Sequence, residues 1–200
     1  MTDAPPLPVV VPWPLIREEA VGQFKLFNLV HSVRRSPTTG REHPFLRLEA
    51  PDWVNVVAIT VERRLVLVEQ YRHGTNSVTL EIPGGCVDPG ESPAQAAVRE
   101  LEEETGYRPQ ELHEIGVVDP NPAFLSNHCW TFLALGCRAD GISNPDPTEE
   151  IALRFAALPE FSALIGEGTI RHALVVAAHD HLLRVLEQRP DWSAAVTGGE

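Results

Sequence analysis

Lysine is almost missing from this 200-residue chain: Lys25 stands alone among 16 basic residues, and the rest are arginine. That imbalance reads as genome composition rather than function. Bases as a class are also outnumbered by 28 acids, for a formal net charge of -12. A protein that coats nucleic acid needs an excess of Lys and Arg to release counterions, so the balance argues against that class. A small anionic substrate stays open, because a few local arginines or a metal can reverse the field within one cleft. Cysteine is scarce. Cys86, Cys129 and Cys137 have neither the count of a disulfide framework nor metal-ligand spacing, and reduced thiols in a cytoplasmic protein are expected. Long apolar runs are absent, with nothing near the ~20 residues that span a bilayer. Met1 to Pro14 lacks the basic start and apolar core of a signal peptide.

What is present suits a globular chain with a real core: 43% of residues are hydrophobic and 22% charged. The length fits one domain with an appendage or arm. Residues 1–20 read as a mobile proline-rich arm, 21–50 as a β segment, 51–190 as the main domain and 191–200 as a tail. Gln23 to Val33 alternates as a strand should, Phe45 to Leu48 is a second, and Ser36 to Gly40 between them carries turn chemistry. Further strands are expected at Trp53 to Thr60, paired with Leu65 to Val68, and at Thr79 to Ile82, Glu111 to Val118, His128 to Gly136 and Ile151 to Phe155.

Two helices stand out. Ser92 as N-cap, Pro93 at the first position, Gln95 completing a capping box and Gly106 at the end predict a helix over Ala94 to Thr105. A closing amphipathic helix is expected from about Thr169 to Gln188, with Ile170, Leu174, Ala177, Leu182 and Val185 on one broad face. The order implies an α/β (α+β) fold, a mixed sheet sandwiched between helices, with an N-terminal β extension.

The first helix carries the chemistry. Glu100, Glu103 and Glu104 fall at i, i+3 and i+4, so their carboxylates share one face. Such a cluster repels itself unless solvent or a cation compensates, and its hard oxygens suit Mg²⁺ or Mn²⁺. An isolated E-x-x-E-E is more often a solvated acidic face. Here, however, Gly85 is followed after five residues by Glu91, and after seven more by Arg99-Glu100-Leu101-Glu102-Glu103-Glu104-Thr105-Gly106-Tyr107. This resembles the Nudix box, G-x5-E-x7-R-E-U-x-E-E-x-G-U, with every fixed position filled and only Tyr107 standing where an aliphatic residue is commoner. The resemblance implies a Nudix fold and a Mg²⁺-dependent hydrolase of a nucleoside diphosphate linked to another group. It makes Glu100 and Glu104 direct metal ligands, Glu103 a ligand directly or through water, and the Gly84 carbonyl an additional one. It casts Arg99 as a partner of Glu91 or a neighbouring glutamate, fixing the loop against the helix.

Features outside the box resemble the ADP-ribose and ADP-sugar pyrophosphatase branch. Pro122 lies sixteen residues beyond Gly106. Glu69-Gln70-Tyr71-Arg72 followed by Leu80-Glu81-Ile82-Pro83-Gly84-Gly85 is similar to the branch's strand and following loop, where Arg72 would contact a phosphate and Glu81 would join the substrate site. Gly168 to Leu174 resembles the start of its last helix. The branch keeps its proton-accepting glutamate on a loop before a late strand, which points to Glu149 or Glu150. Adenine needs a flat apolar partner, for which Trp53 and Phe45 are candidates; either serves equally as a core or dimer contact. The resemblance further implies a homodimer built through the N-terminal β segment, with Arg41 and His43 reaching the other subunit. The substrate would be a nucleotide sugar, with neither nucleic acid nor membrane as partner. Other nucleotides (GDP-mannose, coenzyme A, a dinucleoside polyphosphate) and a non-catalytic nucleotide sensor are the alternative readings.

Overall fold

Alternating side chains and a five-residue turn organise the first part of the chain. The structure, a computed structural model, describes residues 9–197. It divides the chain into two units, Met1–Ala50 with Asn121–Ser126, and Pro51–Pro120 with Asn127–Glu200. In the first unit, strands β1 (Leu15–Gln23), β2 (Asn28–Arg35) and β3 (Glu42–Glu49) form an antiparallel sheet in that order. The β2–β3 turn closes where expected. The Ser36 hydroxyl accepts the Thr39 amide at 3.1 Å, and Gly40 takes the left-handed conformation at φ 68°. Leu48 in β3 is bonded on both sides by the 121–126 segment: its amide donates to the Phe124 carbonyl at 2.8 Å and its carbonyl accepts the Ser126 amide at 3.3 Å.

Strand β1 corrects the expectation of a mobile arm over residues 1–20, since it begins at Leu15. Its side chains are nearly all exposed, so it buries no apolar face and shows no hydrophobic alternation for sequence reading to find. It is held by its backbone ladder to β2 and by side-chain contacts across the sheet, the Glu18–Arg47 ion pair at 3.0 Å and Glu19 beside His31 at 3.5 Å. Residues 1–8 of the expected arm and residues 198–200 of the expected tail lie outside the described residues.

The second unit holds β4 (Trp53–Thr60), β5 (Leu65–Arg72), β6 (Ser77–Glu81), β7 (Gly84–Cys86), α1 (Pro93–Thr105), β8 (Glu111–Val118), β9 (Cys129–Cys137), β10 (Ile151–Ala156), α2 (Leu158–Gly166), α3 (Ala173–Gln188) and α4 (Pro190–Thr197). Its seven-stranded sheet runs β10-β5-β4-β9-β8, with β6 added to β5 and β7 to β4. Only β4 and β9 are parallel. Strand β4 is buried from Val54 onward because both faces are covered. Val54, Val56 and Ala58 pack with Ala96, Ala97 and Leu101 of α1, while Val57 and Ile59 join Phe161 of α2, Val175, Ala178 and Leu182 of α3 and Val196 of α4. The expected mixed sheet between helices is therefore what forms.

Helix α1 has the predicted capping box at Ser92 and Gln95 and a left-handed C-cap at Gly106. The closing helix differs. It starts at Ala173 with His172 as N-cap, and its buried residues are Val175, Ala178, Leu182 and Leu186; Leu174, Ala177 and Val185 are only half-buried. Gly166 ends α2, a helix absent from the sequence expectation, and Gly168 lies in the segment separating it from α3. Helix α4 occupies most of the expected tail, where Trp192 stacks on His113 at 4.3 Å and takes the Arg189 guanidinium on its ring at 3.9 Å. Among the described residues no helix is long and apolar enough to cross a membrane.

Candidate active site

The short strand β7 sets the site. Its backbone pairs Gly84 with Asn55 and Gly85 with Val54 of β4, and the Pro83 carbonyl accepts the Val56 amide at 2.8 Å. Both glycines sit in crowded places, Gly84 against backbone and Gly85 against a side chain. A Cβ on Gly84 would overlap the Val54 carbonyl, and one on Gly85 would overlap the Glu100 carboxylate. The main chain thus comes as close to the acidic face of α1 as a chain without side chains can.

Arg99 ties the loop to that helix. Its Nε and Nη2 bond the two oxygens of Glu91 at 3.0 and 2.9 Å, and Nη2 also reaches the Cys86 carbonyl at 2.9 Å. Nη1 bonds Glu100 at 2.8 Å and Glu103 at 3.0 Å. The Glu91 pairing is the one expected from the box, and it holds the Glu91 carboxyl below its ordinary pKa.

The glutamates themselves differ in environment. Glu104 is buried, and its carboxylate accepts the Gly84 amide at 3.1 Å. Burial pushes its pKa up to about 8; the Gly84 bond opposes the rise, and the charges of Glu100 and Glu149 add to it. Glu100 is raised for the same main reason, burial, against the pull of Arg99. Glu103 is half-exposed. Among the described residues no three acid, imidazole or thiol groups close into a ready ligand cage. Arg99 accounts for that, because it engages oxygens of Glu100 and Glu103 itself. The donor set nevertheless fits a hard divalent cation: carboxylates gathered on one helix face, two of them held above their ordinary pKa by burial, beside a glycine backbone that allows close approach.

On the neighbouring strands, Arg72 forms a bidentate pair with Glu81, Nε to Oε1 at 2.9 Å and Nη2 to Oε2 at 2.8 Å, and the Thr79 hydroxyl donates to Oε1 at 2.6 Å. Burial alone would raise the Glu81 pKa, but the Arg72 and Thr79 bonds outweigh it and the net shift is downward. Glu81, expected in the substrate site, is buried with both oxygens engaged, so any effect it has on a substrate passes through Arg72. Arg72 also feels the charges of Glu104 and Glu149, which brings the guanidinium and the acidic helix into one electrostatic neighbourhood. His172, at the N-cap of α3, turns Nε2 toward Glu81 Oε2 at 4.0 Å. Sequence reading placed it only in the segment that starts the last helix.

The loop before β10 is anchored to the end of α1. The Gly141 amide donates to the Gly106 carbonyl at 3.0 Å, the Asn144 amide to that of Glu103 at 2.8 Å, and the Ser143 hydroxyl to the same Glu103 carbonyl at 3.1 Å. From this anchor Glu149 is half-buried and its charge acts on Glu100, Glu104 and Arg72. Glu150, the other loop candidate, is exposed.

Phe45 and Pro122 meet in a pocket of about 450 Å³ inside the first unit, with Trp13, Arg34 and Arg47. Trp13 sets its ring edge-on to Phe45 at 5.8 Å and tilts against His43 at 5.6 Å. It was missed because it sits in a proline-rich stretch with no periodicity. Trp53 belongs to the second unit, in register with Cys86 and Cys129.

Residues 51–178 match the model of the NUDIX domain family. The chain is 34% identical over 133 residues to a methanol dehydrogenase activator of Bacillus methanolicus, covering 66% of this chain and 72% of that protein. It is 39% identical over 84 residues to an ADP-ribose pyrophosphatase of Bacillus subtilis, covering 42% of this chain and 45% of that one. Its fold matches the crystal structure of an ADP compounds hydrolase with TM-score 0.80 at 24% identity, over 91% of this chain and 98% of that structure.

Proposed function

The chain belongs to the Nudix family, and from that premise we propose that it hydrolyses the diphosphate of ADP-ribose or a related nucleoside diphosphate sugar, giving AMP and a sugar phosphate. The observation that carries this reading is the shared field of Arg72, Glu104 and Glu149 around the acidic face of α1. A cation-holding acid cluster next to an arginine suits a diphosphate bridging the two. The similarity to an ADP-ribose pyrophosphatase supports the choice of ADP-ribose.

Gly84 through its carbonyl, Glu100, Glu103 and Glu104 would hold Mg²⁺, with Mn²⁺ a substitute. The bound ion supplies neutralisation of diphosphate charge and a more acidic water. Arg72 binds a phosphate oxygen with the edge of its guanidinium that Glu81 leaves free. Glu149 accepts the proton of the attacking water; its charge at Glu100 and Glu104 favours it over Glu150. Arg99 keeps Glu100 and Glu103 in place and the glycine loop seated. Phe45 and Trp53 are our candidates to stack on adenine, with Pro122 as a further substrate contact.

We also propose a homodimer formed through the three-stranded sheet, which exposes Leu15, Ile16, Val21, Leu46 and, in the β1–β2 turn, Phe24. Light scattering after size exclusion tests this. A cytoplasmic setting fits the three free cysteines.

The experiment is kcat/KM with Mg²⁺ for ADP-ribose, ADP-glucose, GDP-mannose, NADH, coenzyme A and 8-oxo-dGTP. ADP-ribose leading by about tenfold, a difference of ~1.4 kcal/mol in transition-state binding, supports the reading. A flat profile indicates a broad nucleoside diphosphate sugar hydrolase. Absence of turnover replaces the enzyme with a nucleotide sensor.

A further inference from the structure

We infer that His172 is a positioning residue for Arg72, acting through the buried Glu81 carboxylate that both of them face. This rests on the reading of Arg72 as a phosphate ligand. The Glu81 side chain is only 3% exposed, and its two oxygens are unequally supplied: Oε1 accepts from Thr79 and from Arg72 Nε, whereas Oε2 accepts only from Arg72 Nη2 among the described residues. Arg72 is therefore the main counter-ion of a buried acid and, at the same time, the group offered to a diphosphate. An anion drawn to its outer edge competes for the same positive charge, and a buried carboxylate that loses part of its counter-ion is costly. A second donor for Oε2 removes that conflict, and the imidazole Nε2 stands 4.0 Å from it.

The surroundings fit such a role. The backbone of His172 is fixed, because its carbonyl accepts the Val175 amide at 3.0 Å and the Val176 amide at 3.1 Å. Two residues on, the Leu174 carbonyl is held by Asn55 Nδ2 at 3.0 Å, and Asn55 is the residue in register with Gly84. The first turn of α3 is thereby tied to the strand that places the glycine loop. The imidazole is one-third exposed and makes no capping bond, so a ring rotation can bring Nε2 into bonding distance of Oε2 without moving the helix. Its other nitrogen selects the tautomer. Nδ1 is buried without a hydrogen-bond partner among the described residues, so a proton there would be buried unsatisfied, and the single proton of the neutral ring belongs on Nε2, facing Glu81.

Steady-state kinetics on the full chain with Mg²⁺ and ADP-ribose test this, using wild type, His172→Ala, His172→Gln, Arg72→Ala and the R72A/H172A pair. We expect H172A to raise KM about tenfold while kcat falls less than about threefold, the pattern of a lost binding contact. H172Q, whose amide can donate to Oε2, should recover most of the loss, and H172A should add little once Arg72 is gone. A Gln variant as impaired as the Ala variant, or a full additional penalty in the R72A background, would overturn the inference. If wild type does not turn over ADP-ribose, the substrate reading falls alone. Long-range ¹H–¹⁵N spectra of labelled protein, with His172 assigned by its absence in H172Q, then decide. A proton on Nε2 supports the inference, and the Nδ1–H tautomer overturns it.

Discussion

The Glu100 carboxylate lies so close to Gly85 that a Cβ on that glycine would overlap it, while one residue earlier a Cβ on Gly84 would overlap the Val54 backbone carbonyl. The two glycines adjoin, yet their replacement has different consequences. Gly85→Ala pushes a side chain, which can yield, so the fold should survive while kcat/KM falls about 10–100-fold through a misplaced ligand. Gly84→Ala pushes backbone in a buried strand and should cost roughly 3 kcal/mol or more of stability. Thermal melts beside kinetics on both variants check the contrast, which fails if the two lose stability equally.

Glu149 and Glu150 should separate cleanly. Glu149→Gln is expected to lower kcat by about 10²–10⁴-fold, the usual yield of a general base, with little change in melting temperature. Glu150→Gln, altering an exposed side chain, should fall far less. Equal losses would remove Glu149 from its assigned role.

Glu104 gives the metal-free protein a pH dependence of definite sign. Its folded pKa lies near 8, above the 4.5 of an unperturbed glutamate, with burial the main cause. Between these values the unfolded chain is ionised while the folded site holds a proton, so folding takes one up. This contribution is complete below about 4.5 and is lost as pH rises through about 8. Melting temperature in EDTA should therefore decline across that window, Glu104→Gln should flatten the decline, and added Mg²⁺ should offset it. A Gln variant with an unchanged slope would assign the pH dependence to other groups.

Away from the site, Gly116 on β8 faces the His181 ring so tightly that a Cβ would overlap it. His181 is itself packed with Nε2 buried and without a hydrogen-bond partner among the described residues. Gly116→Ala should destabilise by about 1–3 kcal/mol with kcat unaffected. Denaturant unfolding measures it, and a neutral result would mean the ring moves freely.

Legibility in the sequence followed physical cause. Helix α1 could be read to within one residue because Ser92, Pro93, Gln95 and Gly106 act locally on the backbone. The central strands could be read because burial on both faces leaves continuous apolar runs such as Val56 to Ile59. Strand β1 could not, since ladder bonds and side-chain contacts across the sheet hold it and neither leaves a period. Helix α2 is too short to show a clear period, and the buried face of α3 is out of phase with the expected one because Ile170 is buried just before the helix starts. Within the site, spacing gave the glutamates and their arginine. It could not show that Glu81 turns inward, or that Trp13 and His172 lie beside residues distant in sequence, since those follow from tertiary packing.

The chain passes between the two units after Ala50, after Pro120 and again after Ser126, and the excursion 121–126 is stitched to Leu48 by hydrogen bonds on both sides. The N-terminal sheet is consequently not a cap that can be trimmed by a single cut. A truncation at Ala50 would leave the 121–126 loop without the strand that orders it, and a protease nick near residue 50 would leave the two pieces joined non-covalently through that loop.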